Sequence, residues 1–310
     1  MKSIFITGGN KGIGLALCKK FAFEYGYKVY MGSRKLDNAM NALKVLNNPK
    51  NIIPITIDVE NEELIKKAYE EFLEKKGKDE KLFIFINNAG MADWDSHGAI
   101  KTLDMPIEYL DRMFRVNVFS SLITTRTFLK SIENGGRIVN VSGGSGELWH
   151  FNAEKDQQIG YASSKLALLM FTKKISAALR DRHIAVNAVC PDWCKTDLAG
   201  YDATYTPEYG AESIIEACFL NNDNPPTGKY FRRGIRIPVD VVPSKIDMEY
   251  VELKNRNELA EQYINKLVWW IPVKKLRNQF RNKLLGRPDQ TRPDQTRPDL
   301  ICRYYFRNIA

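Results

Sequence analysis

Short, nearly unbroken apolar runs alternate with amphipathic stretches through the first 240 residues of the chain. The runs fall at 3–7, 27–31, 52–57, 82–86, 137–141, 184–190 and about 230–237. Between them, near 12–25, 35–47, 61–76, 107–131, 161–182 and 208–220, apolar residues recur at helical spacing. A strand that shows no polar alternation is covered on both faces, so the pattern predicts an α/β fold with a parallel sheet between two layers of helices. Right-handed crossovers then give a single doubly wound sheet of seven strands. Ligands of such sheets bind beyond the carboxyl ends of the strands.

Two of those ends carry candidate chemistry. The first run closes in Gly8-Gly-Asn10-Lys11-Gly12-Ile13-Gly14, directly before a helical stretch with Leu15, Leu17, Phe21 and Ala22 on its apolar side. Glycines there let the backbone approach a pyrophosphate, and a helix amino end offers it free N–H groups. The spacing is G-x-x-x-G-x-G rather than the commoner G-x-G-x-x-G. Farther on, Tyr161 and Lys165 open another helical stretch as Tyr-Ala-Ser-Ser-Lys. Residues four apart share a helix face, with β-carbons about 5–6 Å apart. A cation beside a phenol favours phenolate and pulls it down from its usual pKa of about 10, which suits it to exchange a proton with a carbonyl oxygen or an alcohol.

Seven ordered motifs between residues 3 and 238 then carry a resemblance. They are Thr7-Gly8 through Gly14, Asp58-Val59, Asn87-Asn88-Ala89-Gly90, Asn117 in Arg115-Val-Asn117-Val, Ser142, Tyr161 with Lys165, and Val186-Asn187 leading to Pro191 and Thr196. The chain resembles the short-chain dehydrogenase/reductase family, near its NADPH-dependent carbonyl reductases. The resemblance implies a Rossmann-like domain over 1–240 and reduction of an aldehyde or ketone to an alcohol. Oxidation of steroid- or retinoid-like alcohols, or a non-catalytic binding protein on this fold, are the alternatives. It also implies roles. Tyr161 protonates the substrate oxygen, Ser142 hydrogen-bonds it, Lys165 lowers the tyrosine pKa and holds the ribose, and Asn117 anchors a water of the proton relay.

The cofactor follows partly from the residues themselves. The second strand ends Met31-Gly-Ser33-Arg34 and lacks the carboxylate that binds a free ribose diol. Arg34 instead suits a 2′-phosphate, which favours NADP(H) over NAD(H). By resemblance Lys11 is a second cation for that phosphate, and Asp58 meets the adenine with Val59 packed nearby. By the same resemblance Asn87, Ala89 and Gly90 flank the cofactor, Pro191 borders it, and Thr196 binds the carboxamide. Two departures stand out: Pro191-Asp192 replaces the usual Pro-Gly, leaving the carboxylate to face the cofactor or turn outward. The interval from Ser142 to Tyr161 also exceeds the family's common spacing. Trp149 and Trp193 are candidates to line the substrate pocket, with Met91, Trp94, Phe151 and Leu198 behind them, and His150 is structural or solvated.

Composition bounds the rest. With 44% hydrophobic residues, the chain of 310 residues supports a full core. Five cysteines, odd in number and without metal-ligand spacing, and the lack of a leader before the first strand point to free thiols in the cytoplasm, and no metal site is expected. Residues 241–310 read as an extension. Between 261 and 310 stand 11 Lys/Arg against 4 Asp/Glu, which places +7 of the chain's +9 there. An amphipathic basic helix is predicted at about 257–286. Its 265–285 portion, with Trp269, Trp270 and several cations, suits peripheral contact with an anionic membrane, or packing on the enzyme body or a sister subunit in a homo-oligomer. Nucleic acid is not expected as a partner. The Arg-Pro-Asp-Gln-Thr repeat over 287–300 cannot bury surface and reads as extended.

Overall fold

A computed structural model of the chain describes residues 1–95, 98–147 and 156–238, with backbone alone for 94, 95, 98 and 99. The extension after residue 238, the expected helix and repeat within it, and Trp149, His150 and Phe151 lie outside the described residues.

The strands are β1 (Ser3–Ile6), β2 (Lys28–Ser33), β3 (Ile52–Thr56), β4 (Leu82–Asn87), β5 (Trp94–Asp95), β6 (Gly98–Ala99), β7 (Ile132–Val141), β8 (Ala185–Val189), β9 (Tyr230–Arg232) and β10 (Ile235–Ile237). Eight of them form one sheet in the order β10-β9-β8-β7-β4-β1-β2-β3, and β5 pairs with β6 separately. Every pairing in the large sheet is parallel except β9 with β10. The expected seven strands are therefore eight. Arg233 and Gly234 both hold positive φ, 49° and 67°, and make a two-residue turn that splits the apolar run at 230–237 into a hairpin.

The helices are α1 (Gly12–Phe23), α2 (Leu36–Val45), α3 (Glu62–Lys75), α4 (Ile107–Phe114), α5 (Ser120–Phe128), α6 (Ile159–Ala178) and α7 (Pro207–Cys218). One wider π turn, Arg115–Phe119, joins α4 to α5. Asn61 starts α3, its side-chain oxygen accepting from Glu63 N at 2.9 Å and Leu64 N at 3.2 Å.

Alternation along β1 separates two cores. Ile4 and Ile6 pack with Leu17, Phe21, Met31 and Ile214, toward α1 and α7. Phe5 points the other way, its ring centroid 4.7 Å from that of Phe128 and 5.2 Å from that of Phe85. From β1 the chain runs outward through β2 to β3 and then crosses back to β4 on the other side of β1. That reversal opens a crevice at the carboxyl ends of β1 and β4.

Candidate active site

The crevice begins at the glycine turn. Gly8 holds φ +64°, and a β-carbon on Gly14 would fall 2.0 Å from the Gly8 carbonyl oxygen, so neither position accepts a side chain without rebuilding the turn. The loop after β4 is stitched to it: Asn88 N and Ala89 N each donate to Thr7 Oγ1 at 3.0 Å, and Asn88 Nδ2 donates to Thr7 O at 2.9 Å. Together they floor a cleft of about 1360 Å³. Gly8, Asn10, Lys11, Gly12, Ile13 and Gly14 line its middle. Its volume, the bare backbone of its floor and the helix amino end above it fit a dinucleotide.

At one end stand Ser33, Arg34, Asp58 and Val59. Ser33 is buried and donates to Lys35 O at 2.9 Å. Arg34 is exposed and makes no ion pair with another described residue. Lys11, expected beside it, turns instead across the cleft to Asp197, 2.7 Å away in the loop after β8. Asp58 accepts from Glu60 N at 3.0 Å, and Val59 is buried.

Ser142, Tyr161 and Lys165 meet at the other end, with Ala89, Gly90, Pro191, Trp193 and Thr196 around them. Ser142 follows β7, while Tyr161 and Lys165 lie on the first turns of α6. A β-carbon on Gly143 would lie 3.1 Å from Tyr161 Oη, so the phenol sits directly over the loop that carries Ser142. Ser142 Oγ donates to Lys165 O at 3.2 Å, and Lys165 Nζ donates to Val141 O at 2.9 Å, 5.4 Å from the centre of the Tyr161 ring. Burial pulls the Lys165 ammonium down to about 8.

The expected depression of Tyr161 by Lys165 is not what the structure holds. Burial pushes the phenol well above its ordinary value, and Cys190 and Asp93 add to the rise. Lys165 faces the ring and a backbone carbonyl, and both groups are desolvated together. Tyr161 is consequently protonated at neutral pH, the form a proton donor requires.

Two expected site residues face elsewhere. Asn87 lies inside the sheet, donating to Asn140 Oδ1 at 2.8 Å and accepting from Thr124 at 2.7 Å; its neighbour Asn88 lines the cleft. Asn117 is also buried away from the cleft. Its amide nitrogen donates to Met91 O and Ser164 Oγ, each at 2.9 Å, and its oxygen accepts from Met91 N at 2.9 Å. With these bonds made, the side chain is a strut between the β4 loop and α6. Trp193 borders the cleft, half exposed, its indole N–H donating to Ala199 O at 3.0 Å. Asp192 lines the cleft, and its carboxylate meets Arg232 at 3.2 Å.

Sequence reading missed Asp93, Glu147 and Arg232. Asp93 is fully buried, and its Oδ2 accepts from Gly160 N at 3.1 Å and Tyr161 N at 3.3 Å. It caps α6 from a distant loop, because Gln158 at the helix start offers no side-chain cap. No local spacing could show this. Arg232 had one signal, since it completes a charged pair of residues just before a turn glycine.

Residues 2–204 match the model of the short chain dehydrogenase family, and the chain belongs to that family. It is an oxidoreductase acting on CH–OH and C=O groups. "Short-chain dehydrogenase anuI" of Penicillium roqueforti is 29% identical over 228 residues, covering 69% of this chain and 87% of its own length. "NADPH-dependent aldehyde reductase 1, chloroplastic" of Arabidopsis thaliana is 30% identical over 221 residues, covering 68% and 72%. Among solved structures, NADPH-bound carbonyl reductase from chicken fatty liver superposes with a TM-score of 0.65 at 23% identity, over 77% of this chain and 98% of that one. That likeness shows the fold.

Proposed function

We propose that the protein reduces an aldehyde or ketone to an alcohol with NADPH. The observation that carries this reading is the meeting of Ser142, Tyr161 and Lys165 at one end of a cleft whose other end presents Arg34, exposed and without an ion pair among the described residues. The names of the Arabidopsis reductase and the chicken enzyme support the same cofactor.

The bound nicotinamide supplies the hydride. Tyr161, kept protonated by burial, delivers a proton to the substrate oxygen. Ser142 turns its hydroxyl from Lys165 O to the same oxygen, which it polarises and orients. Lys165, charged below about pH 8, keeps a cation beneath the phenol as negative charge develops there. Arg34 holds the 2′-phosphate, and the glycine turn gives its backbone N–H groups to the pyrophosphate. Purified full-length protein is expected to consume NADPH when given neutral aldehydes and ketones, with kcat/KM at least about tenfold above that with NADH, the order of one lost charge-assisted contact. Consumption of neither cofactor across such a panel would contradict the reading.

A further inference from the structure

The turn after β8 holds Asp192 at φ +64°, the left-handed region where Asp and Asn are the most tolerated residues after glycine. Its carboxylate has a cation beside it. Its Oδ1 lies 3.2 Å from Nε of Arg232, in an ion pair whose angle misses a hydrogen bond. Nη2 of the same guanidinium lies 2.6 Å from Oε1 of Glu147, which is 2% exposed. Tyr230 donates to that oxygen as well, at 2.6 Å. A single cation thereby ties the loop after Ser142, the turn after β8 and the β9–β10 hairpin together.

The cluster borders the reacting end of the cleft. Asp192 and Arg232 line it together with Ser142 and Tyr161. A β-carbon on Gly144 would come 3.1 Å from Arg232 Nη2, and one on Gly143 would come 3.1 Å from Tyr161 Oη. The guanidinium thus stands one residue along the loop from the phenol.

We propose that the Glu147–Arg232–Asp192 cluster makes the substrate chamber selective by charge, admitting uncharged carbonyl compounds and rejecting those with a carboxylate near the carbonyl group. This rests on the reductase reading above. Two carboxylates against one guanidinium leave the cluster at −1. The other nearby cations are engaged elsewhere: Lys165 donates to Val141 O beneath the Tyr161 ring, and Arg233 is paired with Glu216 at 3.2 Å. Nor is Arg232 an unengaged receptor. A guanidinium reads a carboxylate through two parallel N–H groups, and the fork made by Nε and Nη2 already faces Asp192 and Glu147. Trp193 and Leu198 complete the wall with apolar surface.

The test compares kcat/KM for 4-formylbenzamide and 4-formylbenzoate, matched in size and differing in charge, in the wild type and in Asp192→Asn. The wild type is expected to favour the amide by about tenfold or more, as one unit charge at a half-buried site produces. Asp192→Asn, which tolerates the same backbone conformation, is expected to shrink that ratio by about tenfold. A wild type that treats the two aldehydes alike, or a ratio unmoved in the variant, overturns the proposal. If neither aldehyde is reduced, the reductase reading is what fails for this class. The charge rule is then read from benzamide and benzoate binding by tryptophan fluorescence, where tighter benzamide binding in the wild type supports it and equal affinity overturns it.

Discussion

At the scale of single residues, the site is governed by desolvation. Lys165 gives up its proton near pH 8 in the folded protein and near 10.5 when unfolded. Between those values the unfolded chain holds the extra proton, so the stability linked to this group rises with pH; below 8 the full cost of the buried ammonium remains. Lys165→Met lacks this linkage. The wild-type unfolding free energy, taken relative to Lys165→Met, is expected to grow by up to about 1.4 kcal/mol per pH unit between pH 8 and 10. A pH-independent difference in denaturant titrations would count against the buried ammonium. Arg34 belongs to the opposite regime, being exposed. Replacing Ser33-Arg34 with Asp-Ile supplies a partner for a ribose diol and removes the one for a 2′-phosphate. The kcat/KM ratio of NADPH to NADH is expected to fall by at least tenfold, on the order of one charge-assisted contact, and an unchanged ratio removes Arg34 from the site.

At the scale of elements, α6 depends on a residue far from it in sequence. Asp93 accepts two N–H groups of its first turn, and one of them belongs to Tyr161. Burial raises the Asp93 carboxyl against the lowering effect of those bonds. Asp93→Ala leaves the donors unpaired and is expected to destabilise the protein by about 1–2 kcal/mol, with Asp93→Asn recovering most of the loss. Equal denaturation midpoints for Asp93→Ala and the wild type would remove this role. The elements themselves were legible, because period-two and period-3.6 patterns are local. The split of the last run was not, since 230–237 reads as one run until the positive φ values of Arg233 and Gly234 reveal a turn. The wide turn at Arg115–Phe119 was equally hidden: its sequence is helical in pattern, and only packing of Asn117 against Met91 and Ser164 marks it.

At the scale of the whole molecule, the ordered motifs located the cleft because most stand at the carboxyl end of a strand or the start of a helix; Asn117, in the turn between α4 and α5, does not. Side-chain direction was the part sequence could not carry. Asn87 and Asn88 are adjacent and identical, yet strand alternation sends one into the sheet and the other to the cleft. Asp192 lines the cleft, and the partner its carboxylate meets is an arginine forty residues later, which no local pattern shows. The proposed reduction depends on a proton from Tyr161. Tyr161→Phe keeps the ring, its packing and the loop beneath it while removing only the hydroxyl. The direct test measures kcat/KM for carbonyl reduction and the NADPH dissociation constant in this variant. The account predicts a loss of about 10²–10⁴-fold in kcat/KM with NADPH affinity nearly unchanged. Wild-type turnover in Tyr161→Phe would contradict it.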